Sequence, residues 1–310
     1  MHTPVLLIVF NRPDTTARVF EAIRLARPER LYVAADGPRA GREGEAALCA
    51  QARQVATAVD WPCEIKTRFL DHNQGCKRAV SGAITWLFEC EPEGIILEDD
   101  CLPHPTFFPY CEALLEKYRD TPRVMSIAGT PPGTHPPVSH SFVFSKYARI
   151  WGWASWRRAW RLYDVNMAAW PAFRTAHGLR KLSQRGATFE LKWQGVFDAT
   201  HQGKIDTWDF QWLFAHWLND GLACLPAVNL VKNIGFRPDG THTSDPDDAE
   251  ANRPTQPMAL PLTYPDDIAL DPDFDIACEG GLRPLTIGRW FRMTPVGQRL
   301  VSMRRALVGS

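Results

Sequence analysis

Gly94-Ile95-Ile96-Leu97-Glu98-Asp99-Asp100 is the stretch on which the fold turns, an apolar run that breaks off into three adjacent carboxylates. A run apolar at successive positions has no face for water, so it reads as a strand covered on both sides, the habit of parallel sheets. Working outward, the same pattern recurs at Val5–Phe10 and Leu31–Ala35, and Glu64–Leu70 reads as a further strand. Between these runs lie helical spacings over Asp14–Leu25, Glu43–Ala58 and Lys77–Glu89, followed by Thr106–Tyr118 before a strand at Val124–Ala128. Strands alternating with helices over short connections predict an α/β fold with a doubly wound sheet flanked by helices. From Pro131 to Pro137 the rhythm breaks, and residues 138–243 read as aromatic-rich irregular and helical segments. Residues 244–282 read as an acidic, irregular strap and 283–310 as a basic tail helix.

In such sheets ligands bind beyond the carboxyl ends of the strands. The residues there are Phe10-Asn11-Arg12, Asp36, Asp71 to Gly75 and Glu98-Asp99-Asp100, all expected to converge on one rim. A dinucleotide-binding turn is excluded because Phe10-Asn11-Arg12-Pro13 holds no glycine fingerprint, and no phosphate-binding GxxxxGK[ST] loop accompanies the Ile95–Asp99 strand. Three adjacent carboxylates repel one another, which a hard divalent cation would relieve. Strand alternation predicts Glu98 and Asp100 on one side and Asp99 on the other. A second constellation, Trp208-Asp209-Phe210-Gln211-Trp212, opens an amphipathic helix whose indoles suit a core and whose Asp209 suits a helix N-terminus. A third, Trp151-Gly152-Trp153, offers indole faces for a sugar ring with a glycine that permits close approach. His242 lies in the glycine-bracketed loop Gly240-Thr241-His242-Thr243.

The 310 residues carry 35 basic and 35 acidic side chains, and a neutral sum argues against a nucleic-acid binder. The sum hides unlike parts, because the acidic strap nearly cancels a tail with arginines and no acid. That tail, with Trp290 and Phe291, suits an anionic lipid surface or the protein's own acidic face. Nine of the 12 tryptophans fall between Trp151 and Trp217, which predicts a sugar-facing half opposite a nucleotide-binding one. Apolar runs fall far short of the ~20 residues of a spanning helix, the N-terminus lacks a signal-peptide pattern, and the eight cysteines are scattered. The expected setting is cytoplasmic, with peripheral contact at the inner face of the membrane through the tail.

The Val5–Arg12 strand, Asp36-Gly37, the Asn73-Gln74-Gly75 turn and Leu97-Glu98-Asp99-Asp100 together resemble a nucleotide-diphospho-sugar transferase of the GT-A fold. The continuation through Trp151-Gly152-Trp153, Trp208-Asp209 and Gly240-Thr241-His242 is similar to the N-acetylglucosaminyltransferase I-like branch and to bacterial family 2-like glycosyltransferases. The resemblance covers about residues 4–243 and rests on the order of the motifs.

It implies a metal-dependent, inverting glycosyltransferase that moves a sugar from a nucleoside diphosphate donor, UDP in the first instance, to a saccharide or glycoconjugate hydroxyl. Cell-surface polysaccharide biosynthesis is the implied setting. By the same resemblance Asp100 would hold Mn²⁺ or Mg²⁺, Asp99 would face the ribose or donor sugar, and Glu98 the sugar. Arg12, with Phe10 and Asn11 beside it, would meet the phosphates, and Asp36 would accept from a uracil imide. Asn73, Gly75, Lys77 and Arg78 would flank the base, Asp209 would be the catalytic base, and the Gly240–Thr243 loop would order over the donor. Trp151, Gly152, Trp153, Trp208 and His242 would line the sugar or acceptor pocket. Two rivals are a sugar-phosphate nucleotidyltransferase and a carbohydrate-binding protein without turnover. The first calls for a basic, glycine-rich loop after the first strand, where only Arg12 stands.

Overall fold

The structure, a computed structural model, describes residues 1–183, 186–237 and 250–279. The chain forms two compact units. Among the described residues the larger contains Met1–Val165 and Asp206–Ala277, the smaller Asn166–Ile205 with Cys278 and Glu279. In the larger unit the expected alternation is present: β1 Val5–Val9, α1 Pro13–Ala26, β2 Arg30–Ala35, α2 Glu45–Ala56, β3 Glu64–Phe69, α3 Gly75–Cys90 and β4 Glu93–Glu98. There follow β5 Cys101–Pro103, α4 Phe107–Lys117, β6 Val124–Ala128, β7 Phe142–Ser145, β8 Trp153–Trp156 and α5 Arg157–Trp160. The smaller unit supplies α6 Trp170–Thr175 and α7 Gly186–His201. The chain then returns to the larger unit with α8 Asp209–Leu218, β9 Leu222–Pro226, β10 Val231–Asn233 and α9 Pro272–Cys278.

The sheet order is β3-β2-β1-β4-β8-β6-β9-β7. Strands β3, β2, β1 and β4 are mutually parallel, whereas β8 runs antiparallel between β4 and β6, so the sheet is mixed. Alternation along β1 explains why both faces are covered. Val5, Leu7 and Val9 enter one core with Val19, Phe20, Leu114 and Phe142. Leu6 and Ile8 enter the other with Ile84, Leu87, Trp153, Trp208 and Trp212. This is the doubly wound mixed sheet flanked by helices that the sequence predicts.

Beyond the central strands, residues 250–270 are irregular and from Thr263 onward run beside β7. The Ser141 N–H donates to the Thr263 carbonyl, and the Asp271 N–H to that of Phe144, each at 3.0 Å. Asp275 on α9 is clamped there, accepting from Ser145 Oγ at 2.5 Å and from Lys146 Nζ at 3.0 Å. In the smaller unit Trp170 packs edge-on against Phe197 at 5.2 Å while its Nε1–H donates to Asp198 at 3.0 Å. Among the described residues no helix is long and apolar enough to cross a membrane.

Candidate active site

Because β1, β2 and β4 are parallel, their carboxyl ends share one rim. The chain places β2 and β3 on one side of β1 and β4 on the other, so the order reverses between β1 and β4, where crevices open in open α/β sheets. Arg12, the residue before α1, reaches across this point. Its Nη2 donates to Asp99 Oδ1 and, at 3.0 Å, to Asp100 Oδ2. The Phe10 N–H adds a bond to Asp99 Oδ2 at 3.3 Å. Burial by itself would lower the Arg12 pKa, but the charges and hydrogen bonds of Asp99 and Asp100 outweigh it and hold the guanidinium firmly charged.

The expected division of the carboxylates by strand alternation does not hold beyond Glu98. Strand β4 ends there and residues 99–100 form a turn, so Asp99 and Asp100 both fold onto one guanidinium. Glu98 keeps the strand's register opposite Ile8. Burial, then the charges of Asp100 and Asp99, push Glu98 up to about 8. Burial pushes Asp99 up to about 6 against the pull of Arg12. A single guanidinium thus bonds Asp99 and Asp100 beside Glu98, and a hard divalent cation could relieve the crowding that raises Glu98 and Asp99. Asp100 could hold one, since one oxygen binds Arg12 and the other meets, among the described residues, only the Cys101 thiol, at 3.5 Å. Among the described residues no three His, Cys, Asp or Glu side chains converge as ligands. Such a cation would therefore depend on one or two carboxylates, water and a phosphate-bearing substrate.

Asp100 is itself fixed by a short ribbon. Strand β5 pairs antiparallel with β10, Cys101 opposite Asn233, and the Ile234 N–H donates to the Asp100 carbonyl at 2.8 Å. This brings Gly235 so close that a Cβ there would collide with the Asp100 carboxylate.

The second wall is the N-terminus of α3. Asp36, just past β2, accepts from the N–H groups of Gly37 at 2.8 Å, Gln74 at 2.9 Å and Gly75 at 3.1 Å, and from Asn73 Nδ2 at 2.9 Å. Burial raises its pKa nonetheless, with the N–H donors of Gln74, Gly37 and Gly75 opposing. Asp36 is thus a clamp on the Asn73–Gly75 turn, a role the sequence did not reveal because its donors lie nearly 40 residues away. Asn11 Nδ2 and the Arg39 N–H both donate to Glu45, at 3.0 and 2.7 Å, and the Arg39 guanidinium lies 5.5 Å from the Phe10 ring centre. Beside these groups a cleft of about 510 Å³ is lined by Pro38, Arg39, Ala40, Arg42, Ala46, Asp71, His72 and Asn73. Lys77 is half-buried and Arg78 exposed.

The third wall is the start of α8. Trp208 is buried and Asp209, the first helical residue, is half-buried. Thr207 Oγ1 donates to Asp209 Oδ1. Cys76 reports how the carboxylates cluster: burial, then the charges of Glu98, Asp206, Asp209 and Asp36, push its thiol well up. Asp206 and Thr207 went unnoticed in the sequence, where nothing but position separates them from loop polar residues.

The tryptophan expectation is corrected. Trp153 and Trp208 are 1% and 2% exposed and stack on each other at 5.7 Å, with Trp160 and Trp212 closing the cluster. They have no free face for a sugar and build the core under the rim. Of the nine clustered indoles only Trp151 is more than marginally exposed, and it packs edge-on to Phe236 at 5.6 Å. Gly152 is glycine for packing rather than for ligand approach, because φ is +62° and a Cβ would lie 2.7 Å from Val231. His242, the Gly240–Thr243 loop and the 283–310 tail lie outside the described residues.

No protein-family model matches the chain, and no curated protein matches it. Solved structures similar to it include an apo UDP-glucose pyrophosphorylase, 11% identical, covering 52% of this chain and 79% of that one at a TM-score of 0.32. Another is the apo form of mouse xyloside xylosyltransferase 1, 12% identical, covering 70% of this chain and 81% of that one at a TM-score of 0.34.

Proposed function

We propose that the protein is a glycosyltransferase that takes a sugar from a nucleoside diphosphate donor, UDP in the first instance, and passes it to a saccharide hydroxyl with inversion. The observation that carries this reading is the pairing, at the reversal of strand order, of Arg12 with the Asp99–Asp100 turn, in the same electrostatic neighbourhood as Asp209. The cleft beside Asn73 and Arg39 has the volume of a small-ligand site, for which about 300 Å³ is a lower bound. It would take the base and ribose.

Arg12 would share its guanidinium between Asp99 and the donor's phosphates, a geometry that planar forks favour. A Mn²⁺ or Mg²⁺ held by Asp100 would supply Lewis-acid neutralisation of the leaving diphosphate. Asp209 would accept the proton of the attacking hydroxyl. Its Oδ1 is taken by Thr207, and Oδ2 has no hydrogen-bond partner among the described residues. The buried tryptophan platform keeps Trp208, and with it Asp209, from shifting as the acceptor binds.

The test is Asp209→Asn. Transfer should fall by roughly 10²–10⁴, the share of a general base, while nucleotide-sugar binding measured by calorimetry stays within twofold. Transfer at the wild-type rate would remove Asp209 from this role. A panel of nucleoside diphosphate sugars, with and without Mn²⁺, read as thermal shifts, would identify the donor.

A further inference from the structure

We infer that Asp206 is a positioning residue, the strut that sets the Asp209 turn against the N-terminus of α3 and so fixes the base relative to the donor. The inference rests on the transferase reading for its consequence and on geometry for its existence. The chain re-enters the larger unit at Asp206. There its carboxylate accepts from the Cys76 N–H at 3.1 Å through Oδ2 and from the Lys77 N–H at 3.2 Å through Oδ1.

With Asp36 taking the N–H groups of Gln74 and Gly75, two carboxylates from distant segments satisfy four consecutive amides at the start of α3. These are the donors that a helix N-terminus would otherwise offer to an anion. A diphosphate therefore has no vacant amide there, and its charge must be met on the Arg12 side.

Two further observations show that the fit at Asp206 is tight. Gly75 has φ of +79°, and a Cβ on it would stand 2.7 Å from Asp206 Oδ2. One residue beyond Asp206, the Thr207 hydroxyl donates a hydrogen bond to Asp209 Oδ1. The path from donor turn to base is thus α3 amides, Asp206 carboxylate, Thr207 hydroxyl and Asp209. Asp206 is exposed to solvent, so its loss removes a cap and leaves the cores intact.

The experiment compares the full chain with Asp206→Ala, Asp206→Asn and Gly75→Ala, the last pressing on the carboxylate from the opposite side. For Asp206→Ala, kcat should fall roughly 100-fold, the scale of an ångström of misplacement, with donor affinity unchanged by calorimetry. Asp206→Asn, which keeps an acceptor oxygen, should recover part of the loss, and Gly75→Ala should resemble Asp206→Ala. Amide hydrogen exchange gives a readout independent of turnover: in Asp206→Ala it should quicken at Thr207–Trp212 as well as at Cys76–Lys77. Quickened exchange at Cys76–Lys77 alone, or a wild-type kcat, overturns the inference and leaves Asp206 a local cap. If the wild-type chain transfers no sugar, the transferase reading falls, and the exchange pattern alone decides whether the strut exists.

Discussion

At Arg12 the consequence of removing one charge can be reasoned from what it would leave behind. Asp99 is 3% exposed and its carboxylate relies on this guanidinium and one backbone N–H. Breaking a buried ion pair from one side costs about 3–5 kcal/mol because the remaining charge stays desolvated. Arg12→Met is therefore expected to lower unfolding stability by about 3 kcal/mol in metal-free buffer, measured by urea titration. Millimolar Mn²⁺ should raise its melting temperature more than that of the wild type; equal shifts would mean that Asp99 and Asp100 do not share their charge between the two cations. Trp153 makes the complementary case. Its stack against Trp208 places it in the core, so Trp153→Ala should cost roughly 3–5 kcal/mol with donor affinity unchanged in the folded fraction. A fall in affinity without a fall in stability would restore the sugar-stacking role. Asp99 and Asp100 were legible because adjacent carboxylates after a buried strand have few physical explanations. Trp153 was misread because an indole suits a core and a sugar platform equally, and only its neighbours decide.

The elements divide along the same line. β1, β2 and β4 and the helices between them were legible because each of these strands is a continuous apolar run and each helix is amphipathic between short connections, whereas β3 mixes charged and apolar residues at the exposed edge of the sheet. β7, β8 and β9 were not: they are as short and as buried as β1, but they follow Pro131–Pro137, where the strand–helix rhythm that frames β1 is lost. The Trp153–Trp156 strand looked like ligand chemistry when it is the bridge between β4 and β6. The N-terminus of α3 was likewise opaque: its first helical residue is glycine, and none of its own side chains caps it. Asp36 and Asp206 share that role from distant segments. Replacing a helix-capping side chain by alanine costs about 0.5–2 kcal/mol. Asp36→Ala, which also frees Asn73, should lie at the upper end of that range in a denaturant titration and should quicken amide exchange at Gln74 and Gly75. Unchanged exchange there would show that Asp36 is not the cap.

On the scale of the whole molecule, a buried histidine ties stability to pH. His216 on α8 is fully buried and joins the last helix of the site to the sheet. Its Nδ1 faces the Trp212 carbonyl at 3.1 Å and so must donate. Nε2 is then the unprotonated nitrogen, accepting from the Ser126 hydroxyl on β6 at 2.9 Å. Burial lowers its pKa to about 4, against the smaller opposing effect of the Trp212 carbonyl. Unfolded, the same imidazole titrates near 6.5. Between these values the unfolded chain binds a proton that the folded chain refuses, so the contribution of His216 to stability is whole above pH 6.5 and drains away as pH falls towards 4. At pH 5 the loss amounts to about 2 kcal/mol, since each pKa unit is worth about 1.4 kcal/mol. The carboxylates at the strand ends also titrate as pH falls, and comparison with His216→Gln cancels their effect. The stability gap between wild type and His216→Gln, from denaturant titrations at pH 7 and pH 5, should shift by about 2 kcal/mol in favour of the variant at the lower pH. A gap that does not move with pH would mean that His216 carries a proton in the fold, and that the Ser126 bond runs the other way.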